Sequence, residues 1–331
     1  MSALVQPPRL CPGDVVAVAT PSGSVAVDRR LRRGVEALRA RGYRVEVGPL
    51  AGRPGGASGR VERVTELNGF LRDPRVRCVV MSMGGLTSNA VLDHLDYEAL
   101  REDPKIIVGY SDITAILLAV LRHTSIVTFH GPTLLPELAE YPEVLPYTWD
   151  HFARAVGRPE PLGPLTAAPR WTEELLWWDR ADDRDRVTRP SEGWRPLHGG
   201  AATGPLIGGN LETIGLLGGT GHLPDFTGAL VLLESTATDL QQVERSLTQL
   251  EMLGVFDRMA GLLVGRSFRG AEGFEEQFTS LVAERFAHHG VPVLAGVDLG
   301  HTDPMLTLPL GVRARLDGDA GTIEVLDAAV R

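Results

Sequence analysis

The stretch Lys105-Ile-Ile-Val-Gly-Tyr-Ser-Asp-Ile-Thr-Ala-Ile-Leu-Leu-Ala-Val120 passes from an apolar strand, ending at Gly109, straight into an apolar helix. A strand feeding a helix with so short a turn is half of a βαβ unit, whose next strand returns parallel. Outward from it the pattern repeats. Short apolar runs predict strands at Val15–Ala19, Arg44–Val47, Val76–Ser82, Lys105–Gly109 and Ile126–Phe129. Amphipathic stretches between them predict helices at Val27–Arg41, Val61–Leu71, Ser88–Leu92 with Tyr97–Glu102, and Asp112–Arg122. Val35, Leu38 and Gly42 end the first of these in the expected order, glycine just past the last turn. The fold class is α/β, with a mostly parallel sheet whose ligands sit beyond the carboxyl ends of its strands.

From about Pro159 the pattern breaks. Arg170–Arg195 holds Trp171, Trp177, Trp178 and Trp194 among 7 acidic residues and 6 arginines, and reads as a linker or a lid. After Gly199 the chain is glycine-rich and strand-prone at Gly204–Gly209, Ala229–Glu234, Gly261–Gly265, Val293–Val297, Val312–Leu316 and Thr322–Leu326. One clear helix, Asp239–Leu253, carries Leu240, Val243, Leu247, Leu250 and Leu253 on one face. The expected division is residues 1–160, a connecting segment 161–199, and a smaller mixed β domain over 200–331.

Composition excludes several classes. At ~150 residues per domain, 331 residues make about two domains with ample core. A net charge of −9 without a basic run argues against nucleic acid as a partner. Cys11 and Cys78 are too few for a disulfide framework or a cysteine zinc site. No run reaches the ~18 apolar residues of a membrane helix, and the N-terminal residues do not read as a signal peptide. A cytoplasmic protein without membrane partners is the expectation. Lys105 is the single lysine, so there is no G-x-x-x-x-G-K-[ST] phosphate loop.

Ser111 falls in the turn between strand and helix, with Asp112 opening the helix. This resembles a nucleophile elbow, a hydroxyl held over the backbone N–H groups of a helix start. Only half of G-x-S-x-G is present, since Ile113 replaces the second glycine, and an ordinary serine N-cap has the same appearance. Met81-Ser-Met-Gly-Gly-Leu-Thr-Ser-Asn89 forms a second turn at the same edge, where the Gly85 N–H is a candidate oxyanion donor and a plain glycine turn the alternative. A serine nucleophile needs a base. Lys105 lies six residues back along the strand, roughly 20 Å away, out of reach. Among the histidines, His301 in Asp298-Leu-Gly-His-Thr-Asp-Pro-Met305 follows a buried strand, and His130 is held in reserve. Glu234 closes the apolar run Ala229–Glu234, where a carboxylate needs a partner, either His301 or an arginine. Asp298, His301 and Asp303 are possible metal ligands, but no second histidine has ligand spacing, so no metal or other cofactor is expected. Trp177 and Trp178 could stack on an aromatic ligand or simply pack the loop.

Taken together, Gly13–Gly23, Gly84–Asn89, Asp103–Thr114, His130–Pro132, Gly208–Leu211, Leu233–Glu234 and Gly300–His301 resemble, in order, the LD-carboxypeptidase family of serine peptidases, which includes the microcin C self-immunity proteins. The resemblance implies a Rossmann-like N-terminal domain, a C-terminal mixed β domain, a homodimer and a metal-free Ser-His-Glu triad. Carried over, Ser111 is the nucleophile, His301 the base and Glu234 its orienter, with the Gly85 and Asp112 amides as oxyanion hole. Val243–Gly265, Asp298–Leu310 and the Trp-bearing insertion look like the immunity branch, which cleaves an aminoacyl-nucleotide amide and stacks a loop tryptophan, here Trp177 or Trp178, on the base. The alternatives are a murein tetrapeptide LD-carboxypeptidase and, in another class, a non-catalytic binding protein on the same scaffold.

Overall fold

The computed structural model describes residues 3–53 and 59–331. Its first sheet runs in the order Leu308–Leu310, Thr128–His130, Ile106–Gly109, Val76–Met81, Val15–Ala19 and Arg44–Val47. The last five pair in parallel, joined by crossovers that include the helices Asp28–Ala40, Arg60–Arg72, Tyr97–Glu102 and Thr114–Thr124. Val15–Ala19 and Ile106–Gly109 are buried throughout, as strands covered on both faces must be, while Arg44–Val47 at the edge is partly exposed.

Leu308–Leu310 is the departure from expectation. It pairs antiparallel with Thr128–His130, Leu308 opposite His130, so a segment from the C-terminal part of the chain completes the N-terminal sheet. Three residues are too few for an alternation to register, and Pro309 reads against a strand. At a sheet edge proline is tolerated, because its missing N–H is not needed.

The second sheet orders Pro161–Leu165, Thr322–Ala328, Arg313–Asp317, Ala201–Asn210, Leu230–Glu234, Gly261–Gly265, Val293–Val297 and Arg195–His198. Its four strands from Ala201–Asn210 to Val293–Val297 are parallel, and the flanking pairs antiparallel. Two of its strands come from residues read as connecting segment, and by strand count it exceeds the first sheet. The helix Leu240–Met252 is N-capped by the Asp239 side chain and buries Val243, Leu247 and Leu250. A further long helix, Phe274–Phe286, was not expected. Its signal was there: Phe274, Phe278, Val282 and Phe286 recur every fourth residue and are all buried.

Thr114–Thr124 lies between the sheets, against Thr128–His130 on one side and Ala201–Asn210 on the other. All its residues but Arg122 and His123 are buried, which is why it is apolar all round. The buried side chains of both sheets accordingly form one contiguous core. Among the described residues no helix is long and apolar enough to cross a membrane.

Lys105 is fully buried. Its Nζ donates to the carbonyls of Asp73 and Val76 at 2.9 Å each and to Asp103 Oδ2 at 2.6 Å, so all three protons are used structurally. Lys105→Met would strand two carbonyls, while Asp103 keeps Arg77 and partial exposure. The expected cost is about 1–3 kcal/mol in urea unfolding, with turnover per folded molecule unchanged.

Candidate active site

Ser111 opens a single 3-10 turn, Ser111–Ile113, between the strand Ile106–Gly109 and the helix Thr114–Thr124. Its φ is +60°, a region a non-glycine residue enters only when its surroundings hold it there. The holding group is Asp112. Its Oδ2 accepts from Ser22 Oγ at 2.5 Å and from the Ser88 N–H at 2.8 Å, and its carbonyl accepts from Ser88 Oγ at 2.5 Å. One carboxylate thus ties the Ser111 turn to the turns after two neighbouring strands. The sequence reading gives Asp112 as a helix opener and oxyanion amide, with no role for its side chain. No local periodicity marks such a clamp, because its partners lie 24 and 90 residues away.

The sheets bring three side chains into series. The Ser111 hydroxyl meets His301 Nε2 at 3.0 Å, and His301 Nδ1 meets Glu234 Oε2 at 2.7 Å. A carboxylate only accepts, so Nδ1 carries the proton and Nε2 is left to receive one from the hydroxyl. Glu234 ends its strand beside Asn210, its register partner on Ala201–Asn210. Burial works to raise the Glu234 pKa, but the charge of His301 and its hydrogen bond outweigh it, and the carboxyl lies below its ordinary value. For His301 burial works downward, while Glu234 above all raises it, and the net pKa is above 6.5. The imidazole packs between Tyr110, 4.9 Å between centroids, and Phe268 at 5.7 Å.

The other candidates separate cleanly. His130 donates from Nε2 to the Leu299 carbonyl at 2.6 Å, bracing the loop that carries His301 rather than meeting Ser111. Asp298 accepts from Arg266, from Trp194 Nε1 at 2.9 Å and from the Ala168 N–H at 3.0 Å. Asp303 accepts from Arg186 Nη1 at 2.8 Å. These three residues, weighed above as metal ligands, have separate partners.

A cleft of about 250 Å³ opens over Ser111, bounded by Gly84, Gly85, Tyr110, Phe268 and Trp178 among others. Trp178 lines it with Arg30, whose guanidinium stands 4.7 Å from the ring centroid. Trp177 is not among the lining residues. It is 59% exposed and carries Arg180 at 5.1 Å. Arg30, buried on the inner face of its helix, donates to Asp182 Oδ1 at 2.5 Å and to the Pro136 carbonyl at 2.7 Å, pinning the Trp-bearing segment over the cleft. Its signal was present in the sequence, since Arg30 lies four residues before Gly34 and eight before Leu38, both buried on one helix face. Glu137, also lining the cleft, accepts from Tyr110 at 2.6 Å, and burial pushes its pKa up to about 8.

Asp112 follows Ser111 within the turn, and Gly84 and Gly85 of the facing loop line the same cleft. A hydroxyl, an imidazole and a carboxylate in series form a set able to activate an oxygen nucleophile.

The sequence profile of the LD-carboxypeptidase N-terminal domain matches residues 16–131, and that of the LD-carboxypeptidase C-terminal domain residues 203–316. A putative carboxypeptidase of Vibrio cholerae is 35% identical over 96% of this chain and 97% of its own. The microcin C7 self-immunity protein MccF of Escherichia coli is 31% identical over 96% of this chain and 94% of its own. A structure of MccF in complex with glutamyl sulfamoyl guanosine matches with a TM-score of 0.92 at 29% identity, covering 98% of this chain and 99% of that one.

Gly84 leaves the hydroxyl its room: a Cβ there would stand 2.9 Å from both Cβ and Oγ of Ser111. Gly84→Ala should slow labelling of Ser111 by a serine-directed phosphonate by about 10²-fold, the scale of a 1 Å misplacement, while the circular dichroism spectrum is retained. Labelling at the unmodified rate would show that the loop yields.

Proposed function

The chain belongs to the LD-carboxypeptidase family of serine peptidases, close to MccF, and on that premise we propose that it hydrolyses the amide of an aminoacyl-nucleotide conjugate through Ser111, His301 and Glu234. That it is a serine-type carboxypeptidase follows from both domain matches; the triad and the substrate are our inference. In the proposed cycle Ser111 Oγ attacks the acyl carbon as His301 Nε2 takes the hydroxyl proton, and Glu234 bears the resulting imidazolium. The carbonyl oxygen, now negative, lies between the Gly85 and Asp112 N–H groups. The C–N bond breaks as His301 returns the proton to the leaving nitrogen, and the aminoacyl group stays on Ser111. Water, deprotonated by His301, then attacks the ester, releases the acid and restores the hydroxyl.

The observation that carries the substrate assignment is Trp178 in the wall of the cleft that holds Ser111. With Arg30 against one face, its ring is braced to stack on a purine, and a base on such a platform gains ~1–3 kcal/mol. The likeness in fold, over nearly the whole of both chains, to MccF bound to an aminoacyl sulfamoyl nucleoside supports the same reading. Release of a terminal D-alanine from a murein tetrapeptide, the family's other activity, offers no ring to stack.

The deciding experiment is side-by-side turnover of an aminoacyl-sulfamoyl adenosine and a murein tetrapeptide. Faster cleavage of the conjugate is expected, and faster cleavage of the tetrapeptide would overturn the assignment. Trp178→Ala should lower kcat/KM for the conjugate by about five- to 150-fold, and Trp177→Ala should leave it nearly unchanged. A nucleotide-free acyl amide should be indifferent to both.

The sign of the His301 shift gives a pH profile. A general base must be neutral, so kcat/KM should rise with pH along a limb whose midpoint lies above 6.5. Glu234→Gln removes the group that raises that pKa and leaves the burial that lowers it. Residual activity in this variant should titrate at lower pH. A midpoint that does not move would separate Glu234 from the histidine.

A further inference from the structure

Far from the cleft, two crossover helices of the second sheet end at one edge. Leu240–Met252 and Phe274–Phe286 each follow a strand of the parallel run and return to the amino end of the next. Glu251 stands one residue before the end of the first helix, and His288 and His289 follow the end of the second. One ligand atom from each of the three lies within 4.8 Å of the other two.

We propose that Glu251, His288 and His289 bind a divalent ion of the borderline-soft class, zinc first among them, as a staple between these helices. Two imidazoles and one carboxylate are a donor set that suits zinc, with water completing the tetrahedron. The helix carbonyls add to it, since both helices present their negative ends here. The ligands are also partly ordered. Phe286 packs on the His289 ring at 5.3 Å and His288 lies 4.6 Å from it, centroid to centroid. Arg285 pairs with Oε2 of Glu251, which leaves the other carboxylate oxygen to serve as ligand. Zinc–nitrogen bonds of about 2.0–2.1 Å put tetrahedral ligands roughly 3.3 Å apart, so the trio must draw together on binding. His288 is exposed and free to swing inward. The staple would join residues from two helices at the amino edge of the strands, whereas Glu234 sits at the carboxyl edge, so it acts on stability and not on the reaction.

The test is zinc titration of the chelator-stripped full chain by calorimetry, paired with thermal melting. Saturable one-to-one binding at micromolar zinc or tighter, with a raised melting temperature, is expected. His288→Ala and His289→Ala should each weaken it about tenfold or more, a loss that even an outer-shell partner produces. Turnover should be the same before and after stripping. Binding that appears only at millimolar zinc, or that survives unchanged in the double histidine variant, would overturn the site.

Discussion

Everything at the cleft depends on how closely the strand Ala201–Asn210 approaches the start of the buried helix Thr114–Thr124. A Cβ on Gly209 would stand 2.5 Å from Thr114 Oγ1, and the Asn210 N–H donates to that oxygen at 2.9 Å. Only a glycine at φ +145° lets the two sheets meet there. The first sheet supplies Ser111, three residues before Thr114. The second supplies Glu234, opposite Asn210 in register, and the loop after Val293–Val297 supplies His301. A spacing wider by one methyl group would separate hydroxyl from imidazole.

Buried charge fixes what glycine permits. Asp112 clamps the Ser111 turn, Asp298 anchors the Trp194 indole and Arg266, and Arg30 joins the Trp-bearing segment to the first helix. Each is costly to bury unpaired and each is paired, so the loops around the cleft have few alternative positions. Apolar packing alone would tolerate a sliding loop; a carboxylate with two fixed donors does not.

This division of labour also separates what could be read early from what could not. The parallel sheet, the strand-to-helix turn at Ser111 and the apolar helix behind it were legible because strand and helix periods are local. Leu308–Leu310 was not, since its stabilisation comes from Thr128–His130, far earlier in the chain. Phe274–Phe286 was overlooked although its four-residue spacing was present, and Trp177 could not be told from Trp178 because adjacent residues differ only in which way the folded chain turns them.

By itself, then, the sequence determined which elements form and which residue types stand at the strand ends, because hydrogen-bond periodicity and turn chemistry act over a few residues. Resemblance to a family added the pairing of Ser111, His301 and Glu234. Tertiary structure alone decided the distances of 3.0 Å and 2.7 Å, the wall of Trp178 and Arg30, and the clamp at Asp112. Those are contacts between segments far apart in the chain, and their geometry exists only once both sheets have closed on the helix between them.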